Sequence, residues 1–120
     1  MKILVVDDSK VARMYVIKSI KAIGKDAEFF EASNGLEALE IFKKERVDAV
    51  FLDLTMPVMD GYEALNHIMQ INKNAQVIVV SADVQSEAKL RVLRAGAKNM
   101  YAKPIDDEKM RNIFENDLSL

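Results

Sequence analysis

Three aspartates, one serine and one lysine follow short apolar segments of this chain, and together these side chains suit phosphoryl chemistry on a metal. The residues are Asp7, Asp8, Asp53, Ser81 and Lys103. Two carboxylates about 4 Å apart repel each other by roughly 4 kcal/mol at an effective dielectric constant of about 20, so carboxylates that converge need a cation. Mg2+ takes oxygen ligands and pairs with one or two carboxylates plus phosphate. A lysine adds a positive point charge for phosphate oxygens.

Each of these residues also has a purely structural interpretation. A pair of aspartates before a helix commonly caps the helix and complements its dipole, and for Asp7 and Asp8 alone that interpretation is the better one. Asp53 could begin a turn, Ser81 could be a satisfied hydroxyl at a strand end, and Lys103 could be solvated. None of these interpretations explains why all the residues follow predicted strands, so we favour one shared site.

The elements that would bring these residues together alternate along the chain. Short apolar or aromatic segments predict five strands, at Lys2–Asp7, Ala27–Glu31, Asp48–Asp53, Gln76–Ser81 and Asn99–Ala102. Continuous apolar runs such as residues 3–6 and 77–80 are typical of parallel strands covered by helices on both faces. The alternation predicts an α/β fold with right-handed crossovers. Ligands of such sheets bind outside the carboxyl ends of the strands.

Segments of helical length fill the intervals between the predicted strands. They begin near Ser9, Asn34, Gly61, Ser86 and Asp106. Ser86 is the predicted N-cap of the fourth helix. The second helix is predicted to turn Leu36, Leu39 and Phe42 inward. His67, the only histidine, lies mid-helix, is predicted to face solvent and receives no role.

The composition is that of a globular domain. The chain has 120 residues, of which 50% are hydrophobic and 30% charged, and its net charge of -2 gives no argument for nucleic acid or an anionic membrane as partner. No cysteine is present, so disulfides and thiolate metal sites are excluded. No apolar run has the length of a membrane span, and no signal peptide is recognisable. We expect one domain over residues 1–120, without an output domain, in the cytoplasm.

In order and along the whole chain, the motifs resemble the receiver domain of bacterial response regulators. They are Asp7-Asp8 after an apolar strand, Asp53 followed by Met56-Pro57-Val58-Met59-Asp60-Gly61, Ser81-Ala82, Gly96-Ala97 and Lys103-Pro104. The resemblance implies a flavodoxin-like (βα)5 fold, which is a doubly wound, parallel, five-stranded sheet with the strand order 2-1-3-4-5. It also implies a phosphoacceptor of a two-component signalling system.

The resemblance implies that Asp53 accepts the phosphoryl group from the phosphohistidine of a sensor kinase or from a small phosphodonor. It assigns Asp8, Asp53 and the backbone carbonyl of Thr55 as direct ligands of Mg2+, with Mn2+ as an alternative ion. Asp7 is implied to act on the metal through water. Phosphoryl transfer requires mostly positioning and charge neutralisation from a protein, and this set of groups supplies both.

The remaining residues of the motif have implied roles around the phosphoryl group. Lys103 is implied to pair with its oxygens, Ser81 to donate a hydroxyl to them, and the Lys103-Pro104 bond to be cis. Ser81 and Met100 are the implied switch residues, because Met100 stands three residues before Lys103, where the family usually carries Phe or Tyr. Tyr101 cannot replace Met100, since neighbouring side chains of a strand point to opposite faces.

The resemblance implies a sensor histidine kinase as phosphodonor and an output protein that binds the fourth helix, fifth strand and fifth helix of a monomer. The leading hypothesis is a stand-alone, chemotaxis-like receiver with no turnover of an external substrate. A phosphorelay intermediate, a phosphate sink and a receiver from a longer regulator are alternatives. An aspartyl-phosphate phosphatase is a weaker one, because such enzymes usually carry Asp-x-Asp after the first strand, whereas Ser9 and Lys10 follow Asp8 here.

Overall fold

The computed structural model describes residues 1–120, and a parallel five-stranded sheet forms its centre. The strands are β1 (Lys2–Val6), β2 (Glu28–Ala32), β3 (Ala49–Leu52), β4 (Val77–Ser81) and β5 (Asn99–Ala102). They are arranged β2-β1-β3-β4-β5, and every neighbouring pair is parallel. This topology confirms the predicted flavodoxin-like fold and strand order. The predicted strand ends differ from the observed ends by one residue at most.

A helix follows each strand. The helices are α1 (Lys10–Ala22), α2 (Gly35–Lys44), α3 (Gly61–Ile71), α4 (Ser86–Arg94) and α5 (Asp107–Asn112), and a π-helical turn (Ile113–Asp117) continues the last one. Side-chain oxygens of Ser9, Asn34, Asp60 and Asp106 accept backbone N–H groups at the starts of α1, α2, α3 and α5. These caps satisfy N–H groups that have no partner within the helix. None of the helices combines the length and apolarity that a membrane span requires.

The start of α4 differs from the prediction. Ser86 is the first residue of the helix, and the N-cap position belongs to Gln85, whose side chain makes no capping hydrogen bond. The Gln85 N–H donates to Asp83 Oδ1 at 3.1 Å. The predicted Ser86 cap is therefore wrong, because a turn closed by Asp83 brings the chain into the helix one residue earlier.

The helices cover both faces of the sheet, as a doubly wound fold requires. α1 and α5 pack over one set of strand residues, which includes Ile3, Val5, Phe51, Ile78 and Val80. α2, α3 and α4 pack over the alternate set, which includes Leu4, Val6, Leu52, Val77 and Val79. Since both faces of each inner strand are buried, the strands are apolar throughout and not alternately polar.

One residue of the predicted α2 stripe faces solvent. Leu39 and Phe42 are buried as predicted, but Leu36 is 46% exposed. The buried stripe of α2 runs through Gly35, Ala38, Leu39 and Phe42. Leu36 lies about 100° around the helix from Gly35, so it points away from the sheet.

Candidate functional site

Asp7 and Asp53 directly follow β1 and β3, which are neighbours in the sheet. The register pairs Val6 with Leu52, and the Asp53 N–H donates to the Val6 carbonyl at 3.0 Å. The two acids therefore leave the sheet side by side. Asp8 is the next residue of the β1–α1 loop, and carboxylate oxygens of Asp7, Asp8 and Asp53 all lie within 4.8 Å of one another. The structure thus brings together the three acids that the sequence analysis selected.

The three carboxylates differ in burial. Asp7 and Asp53 are each 5% exposed, whereas Asp8 is exposed. Burial raises the pKa of Asp53, and the negative charge of Asp7 raises it further, against the lowering effect of the Lys103 ammonium. A set of carboxylate oxygens that is short of positive charge suits a hard divalent cation. The chemistry of these residues therefore fits Mg2+.

Lys103 brings one positive charge to this site from the end of β5. Its Nζ lies 2.6 Å from Asp7 Oδ2 and 3.3 Å from Asp53 Oδ2. Partial burial acts to lower the pKa of Lys103, but the hydrogen bond to Asp7 and the charges of Asp53 and Asp7 outweigh burial and raise it. Its N–H donates to the Ser81 carbonyl at 2.9 Å. The Lys103-Pro104 bond is cis, as predicted.

Ser81 ends β4 at the same edge of the sheet and is 2% exposed. Its Oγ accepts the Asp83 N–H at 3.1 Å, which leaves the hydroxyl proton available for another acceptor. Asp83 Oδ1 in turn accepts the Gln85 N–H. Two consecutive turns therefore connect the Ser81 hydroxyl to the start of α4. Ser81 hydrogen-bonds to this loop and to none of the three aspartates.

The loop after Asp53 is fixed by contacts with α3. Asp53 Oδ1 accepts the Leu54 N–H at 2.8 Å, which leaves Oδ2 towards Lys103. The Gly61 N–H donates to the Leu54 carbonyl at 2.9 Å, and a Cβ at Gly61 would lie 2.0 Å from the Asp53 carbonyl oxygen. Only glycine allows α3 to begin this close to the backbone of Asp53. Thr55 lies in the same loop, and its carbonyl accepts no backbone hydrogen bond.

Met100 lies apart from the carboxylates. It is 5% exposed and packs in the core under α3 and α4, where the register pairs it with Val79. Tyr101 lies against the opposite face, and its hydroxyl hydrogen-bonds to Asp117 and Asn112. The two side chains therefore point to opposite faces, as the sequence analysis predicted.

Arg13, which was not among the predicted site residues, contacts the β1–α1 loop. Its guanidinium donates to the Asp7 carbonyl through Nη1 at 2.6 Å and to Glu31 Oε1 through Nε at 2.9 Å. The sequence carried one signal for this contact. Arg13 follows the N-cap Ser9 by four positions, so it lies one turn into the helix, above the loop that precedes the helix.

Comparison with known proteins identifies the family to which this fold and this edge of the sheet belong. Residues 3–115 match the response regulator receiver domain. The chain belongs to the response regulator receiver family. This receiver is 38% identical over 109 residues to the chemotaxis protein CheY of Thermotoga maritima, which covers 91% of this chain and 90% of that protein. It is a phosphoacceptor domain of two-component signalling.

Two further relatives are a phosphotransferase and a CheY whose structure has been solved. The receiver is 36% identical over 119 residues to the sporulation initiation phosphotransferase F of Bacillus subtilis, with 99% of this chain and 94% of that protein covered. It superposes on the CheX-CheY-BeF3-Mg2+ complex of Borrelia burgdorferi with a TM-score of 0.87 at 34% identity, over 93% of this chain and 84% of that chain. The similarity to CheY therefore extends over nearly all of the fold.

Proposed function

We propose that this receiver, as a single domain, accepts a phosphoryl group on Asp53 with Mg2+ at the neighbouring acids, and that it signals by phosphorylation-dependent protein binding. The observation that carries the proposal is the convergence of three carboxylates within 4.8 Å beside a lysine ammonium 3.3 Å from Asp53 Oδ2. The similar CheY of Borrelia burgdorferi was crystallised with Mg2+ and BeF3, which supports the same chemistry here.

Asp53 is the nucleophile in this proposal. Its Oδ1 is engaged by the Leu54 N–H at 2.8 Å, so Oδ2 is the oxygen that attacks phosphorus. A new O–P bond forms as the P–N bond of a phosphohistidine breaks, and the electron pair of that bond stays on the imidazole nitrogen. With a small donor such as acetyl phosphate, the P–O bond to the acetyl group breaks and acetate leaves with the electron pair. The aspartyl phosphate is the stored signal.

The neighbouring residues neutralise charge around that step. Asp8, Asp53 and the Thr55 carbonyl are the groups that would hold Mg2+, with Asp7 acting through water. When bound, Mg2+ supplies positive charge against the carboxylates and the phosphoryl oxygens. Lys103 supplies the second positive charge. Ser81 donates its hydroxyl proton to a phosphoryl oxygen while its Oγ keeps the hydrogen bond from the Asp83 N–H.

The phosphodonor in this proposal is a sensor histidine kinase, and the output surface consists of α4, β5 and α5 of a monomer. On α4, Leu90 is 48% exposed and Leu93 is 38% exposed. They lie next to the exposed cations Lys89 and Arg94. An apolar patch with a charged border is a common composition for a protein interface. The cytoplasmic location predicted from the sequence is part of the proposal, and cell fractionation tests it.

Incubation with acetyl phosphate and Mg2+ tests the proposed function. Intact-protein mass spectrometry is expected to show one labile phosphoryl adduct per chain in the native protein and in an Asp26→Asn control, and none in Asp53→Asn. Equal labelling of Asp53→Asn would rule out the assigned phosphoacceptor. Release of many equivalents of phosphate per chain, without an adduct, would favour the phosphatase alternative.

A phosphorelay intermediate is the second candidate function. It is favoured by the similarity to a sporulation initiation phosphotransferase over 99% of this chain. The phosphorylated receiver, mixed with histidine-containing phosphotransfer proteins of the same organism, would then pass its phosphoryl group onward within seconds. A chemotaxis-like receiver would keep the group and bind an output protein more tightly.

A further inference from the structure

Arg13 connects the loop that carries two of the aspartates to the neighbouring strand. Its Nη1 donates to the Asp7 carbonyl at 2.6 Å, and its Nε lies 2.9 Å from Glu31 Oε1 on β2. The Arg13 side chain is only 14% exposed. The planar guanidinium presents its donors in a fixed fork. The ion pair with Glu31 therefore sets the direction in which Nη1 holds the Asp7 carbonyl.

The other polar groups of Asp7 are also engaged. Its N–H donates to the Ala32 carbonyl at 3.0 Å, its Oδ1 accepts the Ser9 N–H at 2.9 Å, and its Oδ2 faces Lys103 Nζ at 2.6 Å. The fourth polar group of Asp7, its backbone carbonyl, accepts the hydrogen bond from Arg13. Asp7 is therefore held at both its backbone and its side chain.

Asp8 has no comparable support. Its carboxylate is exposed and forms neither an ion pair nor a hydrogen bond. The carbonyl that Arg13 holds belongs to the peptide unit between Asp7 and Asp8. Because that unit is planar, fixing its carbonyl also fixes the direction in which the chain enters Asp8.

We propose that Arg13 is a positioning residue of the metal site, which holds the Asp7-Asp8 peptide so that the Asp8 carboxylate meets the cation together with Asp7 and Asp53. The inference rests on the proposed binding of Mg2+ at these acids. Electrostatics alone predicts the opposite effect of Arg13, since a guanidinium near the site repels a divalent cation. Positioning predicts weaker Mg2+ binding when Arg13 is removed, and charge repulsion predicts stronger binding.

Calorimetric titration with Mg2+ separates the two effects. Arg13→Ala is expected to bind Mg2+ about tenfold more weakly, as residues that orient metal ligands typically contribute. Lys10→Ala removes the same charge from an exposed residue of α1 that forms no ion pair, and is expected to bind at least as tightly as the native chain. Arg13→Lys keeps the charge but cannot span both acceptors, so its affinity is expected to lie between those of the native chain and Arg13→Ala.

A second readout distinguishes positioning of the metal from general damage to the fold. The rate of phosphorylation by acetyl phosphate in Arg13→Ala is expected to fall at low Mg2+ and to return to the native rate at saturating Mg2+. A deficit that persists at saturation, or Mg2+ affinity equal to or above that of the native chain, would overturn the inference.

Glu31→Gln provides a supporting variant, because it loosens Arg13, although it also removes a negative charge, so that positioning and charge repulsion both predict weaker Mg2+ binding. It is expected to weaken Mg2+ binding less than Arg13→Ala does. If Arg13→Ala does not fold, Arg13→Lys decides, because charge repulsion predicts unchanged Mg2+ affinity in this variant and positioning predicts weaker binding; unchanged affinity would overturn the inference. Failure of the native chain to bind Mg2+ would overturn the proposed function together with this inference, whereas native binding with unaffected variants would overturn this inference alone.

Discussion

Asp8 contributes charge to the site, but its side chain forms no hydrogen bond or ion pair with the rest of the fold. It is exposed, forms no side-chain hydrogen bond, and its carboxylate lies within 4.8 Å of those of Asp7 and Asp53. Asp8→Ala removes one of three repelling charges, so we expect the metal-free melting temperature to stay the same or rise. Mg2+ binding is expected to be lost.

Thermal denaturation with and without Mg2+ checks the Asp8 prediction. Mg2+ raises the melting temperature of any chain that binds it in the folded state. We expect that increase in the native chain and in a Glu40→Ala control, and none in Asp8→Ala. A lower metal-free melting temperature together with an intact Mg2+ response would contradict the prediction.

Val58 is strained in the loop after the phosphoacceptor. Its φ of 68° lies in the left-handed region, which is unfavourable for a β-branched residue. The Met59 N–H donates to the Pro57 carbonyl at 2.7 Å across this tight turn, and Val58 is 79% exposed, so packing does little to offset the strain. The turn conformation therefore costs stability at this residue.

Val58→Asn is expected to stabilise the metal-free protein by about 1 kcal/mol, because asparagine tolerates the left-handed conformation better. Urea denaturation measures the change in the free energy of unfolding. Val84→Asn is the matched control, since Val84 is an exposed loop valine without a positive φ. Equal effects at both positions would mean that backbone strain is not the cause.

At the scale of elements, Tyr101 fastens β5 to the end of α5. Its hydroxyl donates to the Asp117 carboxylate and accepts a hydrogen bond from Asn112 Nδ2 at 2.6 Å. Burial, together with the hydrogen bond to Asp117, raises the pKa of Tyr101 to about 12. The folded state therefore holds the phenol proton to a higher pH than the unfolded chain does, where the pKa is about 10.

The sign of the pH dependence follows from that difference. Tyr101 contributes its full stabilisation below pH ~10, and this contribution is lost as the pH rises through about 12, because the unfolded chain releases the proton first. Tyr101→Phe is expected to lower the free energy of unfolding by about 1 kcal/mol at pH 7. The gap between native and variant should narrow from pH 10 upwards.

Urea denaturation at pH 7, 9 and 11 measures this gap. Tyr15→Phe is the control, because Tyr15 is 53% exposed on α1, and it should show little difference from the native chain at any of these pH values. A gap for Tyr101→Phe that stays constant to pH 11 would show that the Tyr101 proton does not contribute to stability.

At the scale of the whole molecule, the two implied switch residues, Ser81 and Met100, are both connected to α4 of the proposed output surface. The Ser81 hydroxyl is linked through Asp83 and Gln85 to the start of α4, and Met100 packs beneath the same helix. Moving a two-state population from 1:99 to 99:1 takes about 5.5 kcal/mol of differential stabilisation. Charge-assisted bonds from Ser81 and Lys103 to a phosphoryl group contribute about 1.5–3 kcal/mol each. Two such bonds sum to about 3–6 kcal/mol, which reaches the required 5.5 kcal/mol only near the upper end.

We therefore predict a graded switch, in which part of the population is active-like before phosphorylation. Met100 is flexible and specifies one rotamer less sharply than a ring does, so Met100→Tyr is expected to change the ratio of populations. NMR shifts of α4 amides measure this in the metal-free chain and with Mg2+ and beryllofluoride. Metal-free shifts identical to those of a fully inactive state, and unchanged in Met100→Tyr, would mean that Met100 does not limit the switch.

The sequence by itself determined the alternation of strands and helices and most of the candidate site, whereas the strand order was predicted only from the resemblance to the receiver family. Apolar strands that alternate with amphipathic helices require a sheet covered on both faces, and parallel strands place their carboxyl ends at one edge. The acids and the lysine that follow those strands therefore converge. Lys103 Nζ lies 2.6 Å from Asp7 Oδ2 and 3.3 Å from Asp53 Oδ2. Local pattern was sufficient to place each residue at this edge because that placement depends on where its own strand ends, whereas the distances between the residues depend on the strand order.

Only the tertiary structure decided the features that depend on contacts between distant elements. Arg13 meets both Asp7 and Glu31 because β2 lies beside β1. Leu36 faces solvent because the rotation of α2 about its axis is set by how the helix packs on the sheet. The start of α4 follows from a turn closed by Asp83. Helical periodicity defines a stripe but not its exact phase, and a residue's own type does not reveal which remote backbone group it will meet.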